Sequence, residues 1–380
     1  MNWKVPLSDV KFDEHEFSAV QAVLESGWLT MGSVTQAFEQ EFCGYTGARY
    51  AFAVNSATAA LHLVCQAIGL GPGDEVIVPS LSFVATANAV RYTGATPIFA
   101  DIIGETDLTI SSTAIERAIT PRTKAIIVMH YGGYACDMPR IMALARAHHL
   151  AVIEDAAHAI GASLDNHPLG AWGIAGCYSF FSNKNMTTGE GGMLVTNDDL
   201  IADQVRVLRS HGMTSPTWDR YLGHAWSYDV VGLGYNYRID EIRSALGREQ
   251  LKKLDGSNAR RREITGLYRH LLADLVPAIG VPFNEHPGIS AHHLMPVLLP
   301  EGADRLKFMD GMKAQGIQTS IHYPPIHRFT SFRNEAASGS SLPVTEAVAR
   351  REVTLPLYPL LTGAQVESVV LAARQALAEK

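Results

Sequence analysis

Between residues 48 and 197, short apolar runs alternate with segments of helical periodicity, and no other feature constrains the fold as much. Most runs are continuously apolar, which is typical of strands covered on both faces. The predicted strands are Tyr50–Val54, Glu75–Pro79, Pro97–Ala100, Ala125–His130, Ala151–Glu154, Cys177–Phe181 and Met193–Thr196. The predicted helices between them are Thr58–Gly69, Val84–Tyr92, Ser112–Ile119 and Pro139–His148. This order predicts an α/β fold with a mostly parallel seven-stranded sheet flanked by helices.

The pattern changes beyond Ile239, where a long Arg-, Lys- and Leu-rich helix is predicted over Ile239–Leu275, with a break expected near Gly256. A second α+β unit follows, with predicted strands His292–Leu299 and Ile317–His322 and predicted helices Ala303–Gln315 and Gly363–Glu379. Because 380 residues exceed one ordinary core, we expect two domains. The large domain is predicted over residues 1–250 and the small C-terminal domain over residues 251–380.

Composition narrows the class of protein. A net charge of −7 argues against a nucleic-acid binder, and no apolar run is long enough to cross a bilayer. The N-terminus lacks the apolar core of a signal peptide, and the four cysteines form no CxxC pair. Neighbouring histidines such as His148 and His149 point in different directions, so we expect no metal site. A cytoplasmic enzyme is therefore predicted.

The segment VNSATAAL, residues 54–61, predicts a strand that turns directly into a helix. Ser56, Ala57 and Thr58 would then present free backbone N–H groups at a helix N-terminus, which favours an anion such as phosphate. An ordinary Ser/Thr helix cap is the alternative interpretation.

The segment VIEDAAH, residues 152–158, runs from an apolar strand into two carboxylates. Ligands of open α/β sheets bind at the carboxyl ends of strands, where Asp155 is expected. A carboxylate there could keep a pyridine nitrogen protonated, as pyridoxal phosphate (PLP) chemistry requires. His158 could orient Asp155 or pack near the ring. The alternative is a helix cap followed by a surface histidine.

Lys184 lies in YSFFSNKN, between a predicted buried strand and the glycine-rich GEGG. A lone lysine is usually a solvated surface group. Burial here would lower its pKa, as a Schiff-base lysine requires. Ser179, at the end of the strand, could donate its hydroxyl to a cofactor phosphate.

Six segments in this order resemble the DegT–StrS type family of nucleotide-sugar aminotransferases: NSATAAL, VPSLSFVATANA, IEDAAHAIGA, YSFFSNKN, GEGGMLVTND and GYNYRIDEIRSALG. The resemblance runs from about Gly27 to Thr362. It implies a fold type I PLP-dependent transferase. Some relatives carry histidine in place of the lysine and are dehydratases, so Lys184 favours transamination.

The resemblance also implies a role for individual residues. Lys184 would be the catalytic Schiff-base lysine and Asp155 the carboxylate on the pyridine nitrogen. The other implied cofactor contacts are the ring neighbours His158 and Phe83, the phosphate contacts Ala57, Thr58 and Ser179, and Asn236, which would reach the phosphate of a neighbouring subunit. A homodimer with shared active sites follows from that last role. The family often has Gly-Thr at the position of Ala57-Thr58, so this loop is expected to differ slightly.

Five residues are candidates for contact with the substrate. The segment HYPPIH resembles the family's loop at the substrate mouth and offers His322, Tyr323 and His327, although a rigid surface loop is the alternative. Tyr131 and Trp28 are further pocket candidates, with core packing as the alternative.

The implied reaction transfers an amino group from glutamate, or glutamine, to a keto sugar on a nucleoside diphosphate. A 4-keto-6-deoxy sugar is the leading expectation, and a 3-keto sugar or a cyclitol ketone stays open. So do two further functions, a fold type I lyase that acts on an amino acid and a regulatory homologue without catalysis. A nucleotide-sugar oxidoreductase is disfavoured because no GxGxxG follows the first strand.

Overall fold

A computed structural model describes residues 3–215, 223, 227–332 and 341–378. Its centre is a seven-stranded sheet, as predicted. The strands of this sheet are β1 (Tyr50–Val54), β2 (Glu75–Pro79), β3 (Thr96–Ala100), β4 (Thr123–Met129), β5 (Ala151–Asp155), β8 (Ala175–Ser179) and β9 (Gly192–Thr196). The short hairpin β6 (Ser163–Leu164) and β7 (His167–Pro168) and the pair β10 (Met295–Leu298) and β11 (Glu352–Leu355) complete the described strands.

The order across the large sheet is β1-β9-β8-β5-β4-β2-β3. Only β9 runs against its neighbours, pairing antiparallel with both β1 and β8, while the remaining pairs are parallel. The carboxyl ends of β4, β5 and β8 therefore lie side by side at one edge.

Eleven helices lie in the described part of the chain: α1 (Glu14–Ser26), α2 (Ser33–Thr46), α3 (Ala57–Ala67), α4 (Ala85–Arg91), α5 (Ser112–Ala118), α6 (Met138–Ala147), α7 (Asp199–Leu208), α8 (Glu241–Leu275), α9 (Arg305–Ala314), α10 (Pro343–Arg351) and α11 (Gly363–Ala378). None of these is both long and apolar enough to span a membrane.

Two apolar cores cover the two faces of the sheet, because successive residues of a strand point to opposite sides. Val152 of β5 packs in the core formed with α2, α5 and α6, whereas its neighbour Ile153 packs in the core formed with α3, α4 and α7. This double coverage explains why the strands read as continuous apolar runs.

The prediction of a strand over Ile317–His322 is wrong. Ile317 and Ser320 make only single bridges, to Val5 and Thr354. A ladder cannot continue because the backbone N–H of His322 donates to the side chain of Glu352, at 2.8 Å, instead of to a strand. The partner of β10 is β11, which was not predicted. The break expected near Gly256 is also wrong, since α8 is continuous.

The N-terminal segment packs against the C-terminal part of the chain. The N–H groups of Lys4 and Val5 donate to the carbonyl of Gly316, and that of Leu7 donates to the side chain of Gln318. Val5 belongs to a third core, which contains residues of α8, β10, β11 and α11. The domain boundary at residue 250, inside α8, stays a prediction.

Candidate active site

A cavity of about 310 Å³ opens at the sheet edge where β4, β5 and β8 end. The last residue of each of these strands, Met129, Asp155 and Ser179, lines it. Nine of the predicted residues meet in this cavity: Ala57, Thr58, Phe83, Asp155, His158, Ser179, Lys184, His322 and Tyr323. The first seven come from the large-sheet region, and the last two come from the segment that follows α9.

Lys184 lies in the turn between β8 and β9, where its N–H donates to the carbonyl of Phe181. Surrounding protein lowers the pKa of its amine to about 8, because desolvation disfavours the ammonium form. The negative charge of Asp155 acts in the opposite direction. At neutral pH the amine is therefore far easier to deprotonate than that of a solvated lysine.

Asp155 is buried at the end of β5 and accepts two hydrogen bonds. The hydroxyl of Thr86 donates to Oδ2 at 2.7 Å, and the N–H of Ala157 donates to Oδ1 at 3.2 Å. Burial raises the pKa of Asp155, while the two hydrogen bonds and the charge of Lys184 oppose the rise. A cation placed next to Asp155 would hold it ionised.

The adjacent carboxylate, Glu154, has a different role. It accepts N–H groups from Gly170, Trp172 and Gly173 at 2.6 to 2.7 Å, and it lies 3.0 Å from Nε2 of His130. Glu154 thus fixes the segment that leads into β8, and of the two carboxylates only Asp155 reaches the cavity.

His158 links the cavity floor to Tyr323. The N–H of Gly132 donates to Nδ1 of His158 at 3.3 Å, so the ring proton lies on Nε2, which is 3.0 Å from the Tyr323 hydroxyl. Burial lowers the pKa of His158 well below its ordinary value, so the ring is neutral. The hydroxyl proton of Tyr323 remains available to a ligand. Phe83, with its ring centroid 6.0 Å from that of Tyr323, forms part of the same wall.

The N-terminus of α3 forms the other end of the cavity. The Ser56 hydroxyl accepts from the N–H of Ala59 at 3.1 Å, and the N–H groups of Ala57 and Thr58 donate to no other described residue. Ala57 is helical, so alanine fits where the family often has glycine. Gly192 packs beneath this turn, and a Cβ there would lie 2.6 Å from the Ala57 nitrogen. The two free amides and the Ser179 hydroxyl line the same cavity and are chemically suited to bind an anion.

Four predicted residues do not line this cavity. Tyr131 is buried behind it and donates its hydroxyl to the carbonyl of His322. His327 contacts the Ser80 hydroxyl at 2.7 Å and Glu346 at 3.2 Å. Trp28 lines a separate cavity beside Glu241, and Asn236 is exposed on the surface. Their predicted roles stay predictions, and that of Asn236 concerns a second subunit.

Thr86 was not predicted. It is a buried polar residue of the otherwise mostly apolar helix α4, and that contrast is its only signal in the sequence. Asn183, Glu190 and Phe181 also line the cavity and lie within the two motifs around Lys184.

The sequence model of the DegT/DnrJ/EryC1/StrS aminotransferase family matches residues 10–374. The chain belongs to this family. It is 41% identical to the spore coat polysaccharide biosynthesis protein SpsC of Bacillus subtilis (strain 168), covering 98% of this chain and 97% of SpsC.

Solved structures of relatives share the fold. The PLP form of Spr1654 from Streptococcus pneumoniae has a TM-score of 0.90 at 28% identity, covering 99% of both chains. DesI, solved in the presence of its TDP-sugar product, has a TM-score of 0.88 at 30% identity, covering 100% of this chain and 93% of DesI. The protein is thus a PLP-dependent sugar aminotransferase with the fold type I architecture.

The cavity fits this cofactor by the chemistry of its donors. The free amides of α3 and the hydroxyls of Thr58 and Ser179 suit a phosphate, and the Asp155 carboxylate suits a protonated ring nitrogen. Lys184 supplies the amine that an aldehyde requires, in the same cavity.

Proposed function

We propose that the enzyme transfers an amino group from glutamate, or glutamine, to a keto sugar carried on a nucleoside diphosphate, with a 4-keto-6-deoxy sugar as the first candidate. The observation that carries this proposal is the meeting of Lys184 and Asp155 in one cavity at the sheet edge. The TDP-sugar product of DesI and the polysaccharide pathway of SpsC favour a sugar nucleotide as substrate.

Bound PLP supplies an electron-poor ring that stabilises negative charge on the substrate carbon. Asp155 would hold the ring nitrogen protonated, and the hydrogen bond from Thr86 orients its carboxylate. Lys184 would hold the cofactor through its aldehyde, and its amine would serve as the group that accepts and returns the proton of the substrate carbon. A pKa of about 8 leaves this amine able both to accept and to release a proton near neutral pH.

The experiment is direct. The protein is incubated with PLP, glutamate or glutamine, and a panel of keto sugars on dTDP, UDP or GDP, and conversion of ketone to amine is followed by mass spectrometry. We expect at least one sugar to be aminated by the native protein and none by K184A. Cleavage of an amino acid without amination of any sugar would instead identify a lyase, and full activity of K184A would contradict the role of Lys184.

We propose further that the enzyme is a homodimer in which Asn236 reaches the phosphate of the partner's cofactor. Two observations support this: Asn236 lies outside its own cavity, and the preceding residues Val230, Val231 and Leu233 expose large apolar side chains that a second copy could cover.

Subunit mixing tests the shared site. K184A and N236A are each expected to have little activity, whereas a mixture that exchanges subunits should recover about a quarter of the native activity, because half of the dimers carry one intact site of two. If Asn236 serves its own subunit, every site in the mixed dimer lacks one of the two residues, and activity stays low.

A further inference from the structure

A chain of hydrogen bonds runs from the buried strand β11 to the cavity. The Thr354 hydroxyl lies 2.6 Å from Oε1 of Glu352 and 2.8 Å from Nδ1 of His322. The other oxygen of Glu352 accepts the backbone N–H of His322, while Tyr131 donates to the carbonyl of the same residue. Glu352 is only 1% exposed, so no bulk water competes for these bonds.

A hydroxyl carries a single proton, so Thr354 can donate to only one of its two neighbours. When Glu352 is ionised, Thr354 must donate to the carboxylate, and Nδ1 of His322 must then donate to Thr354. When Glu352 is protonated, it donates to Thr354, and Thr354 donates to Nδ1. The proton of the neutral His322 ring lies on Nδ1 in the first state and on Nε2 in the second.

His322 lines the cavity, and no described residue forms a hydrogen bond with its Nε2. In the first state a ligand meets a hydrogen-bond acceptor at this nitrogen, and in the second it meets a donor. The ring is neutral because burial and the charge of Lys184 lower the pKa of His322 to about 4.

The surroundings of Glu352 make both states accessible. Burial raises the pKa of Glu352 to about 8, and the hydrogen bonds from Thr354 and His322 and the charge of Arg305 oppose the rise. Tyr131 and Tyr323 are further titratable groups that act on Glu352, and burial raises the pKa of each above its ordinary value, so both stay neutral.

We infer that Glu352 and Thr354 are positioning residues that determine which nitrogen of His322 carries the proton, and thereby whether the cavity offers an acceptor or a donor there. The consequence for substrates rests on the proposed function. A bare Nε2 accepts a hydrogen bond from a sugar hydroxyl and disfavours a carboxylate, whereas a protonated Nε2 suits the carboxylate of the amino donor.

Nitrogen NMR tests the inference without reference to turnover. The PLP-loaded protein is labelled with ¹⁵N-histidine, and the signals of His322 are identified by their loss in H322Q. The ¹⁵N chemical shifts of protonated and unprotonated imidazole nitrogens are well separated. We expect the proton to move from Nε2 to Nδ1 as the pH rises from 6 to 9.5. If the native protein and E352Q show the same tautomer of His322 throughout this range, the inference is overturned.

Three variants distinguish the hydrogen-bonded connection through Thr354 from an effect of side-chain packing. In E352Q the amide must donate to Thr354 while its oxygen accepts from His322, so the proton should stay on Nε2 at every pH. T354V removes the hydroxyl at nearly constant volume and should abolish the response to pH, whereas T354S should preserve it. A native response in T354V would show that Thr354 does not connect the two groups.

Half-reaction kinetics test the consequence for substrates. At pH 9.5, E352Q should lower kcat/KM for the keto sugar roughly tenfold or more, because a donor replaces the acceptor, and should not lower that for the amino donor, because a protonated Nε2 suits its carboxylate. Equal losses in both half-reactions would refute the effect on substrate choice. If no keto sugar is aminated by the native protein, the proposed function fails, while the NMR experiment still decides the inference.

Discussion

The lowered pKa of Lys184 predicts how the rate of PLP capture depends on pH. Only the uncharged amine captures an aldehyde, and the pKa of Lys184 is lowered to about 8 from an ordinary value of 10.5. At pH 7 about one amine in eleven is then uncharged, against about one in three thousand for a solvated lysine, a difference of about 300-fold. The rate at which the cofactor-free protein captures PLP should therefore rise tenfold per pH unit up to about pH 7 and level off above pH 8.

The assay mixes cofactor-free protein with PLP from pH 6 to 10, traps the adduct with borohydride at set times, and quantifies the modified Lys184 peptide by mass spectrometry. K184R is the control for reaction at other lysines. In D155N the capture rate should level off at a lower pH, because the negative charge of Asp155 raises the pKa of Lys184. A capture rate that keeps rising tenfold per unit to pH 10 would show that the amine is solvated, and would refute the argument from burial.

Three further predictions concern the site and its scaffold. T86V removes the hydroxyl that donates to Asp155 at 2.7 Å, so PLP affinity measured by fluorescence titration should fall roughly tenfold, while T86S should stay within about twofold of the native value; equal affinities in the two variants would contradict the role of the hydroxyl. G176A places a Cβ 2.1 Å from the Gly170 carbonyl and should lower the free energy of unfolding by about 3 kcal/mol or more, which denaturant titration would detect. In the matched variant G256A, the added Cβ meets nothing within 4 Å on the continuous helix α8. G256A should therefore raise the free energy of unfolding by up to about 1 kcal/mol, and a lowered free energy of unfolding would contradict the uninterrupted helix.

The strands and helices that could be predicted are those with a local pattern of apolar residues in the sequence. The strands β1 and β2 begin and end at the predicted residues, because double coverage by helices leaves continuous apolar runs in the sequence. Helix α2 was missed although Phe38 and Phe42, four residues apart, mark its buried face. Strand β11 has only four residues directly after a helix, which is too short for a periodic signal.

The residues of the candidate site also fall into a predictable group and an unpredictable group. Lys184 and Asp155 lie in segments whose order along the chain is informative, so the sequence predicted them. Thr86 acts on Asp155 across 69 residues, and Glu352 acts on His322 across 30. No spacing rule joins such pairs, because only tertiary packing decides which buried hydroxyl or carboxylate lies beside which functional side chain.

The contact between the N-terminal segment and Gly316–Gln318 has a consequence for biosynthesis. Leu7 and Gln318 are separated by 311 residues, so a ribosome releases the first long before it makes the second. While the nascent chain grows, Val5 has no core to enter, although the sheet around Lys184 is already complete in sequence. The segment from Lys4 to Leu7 is therefore among the last parts to reach its native place, and translation products that stop before residue 316 leave it without its partner.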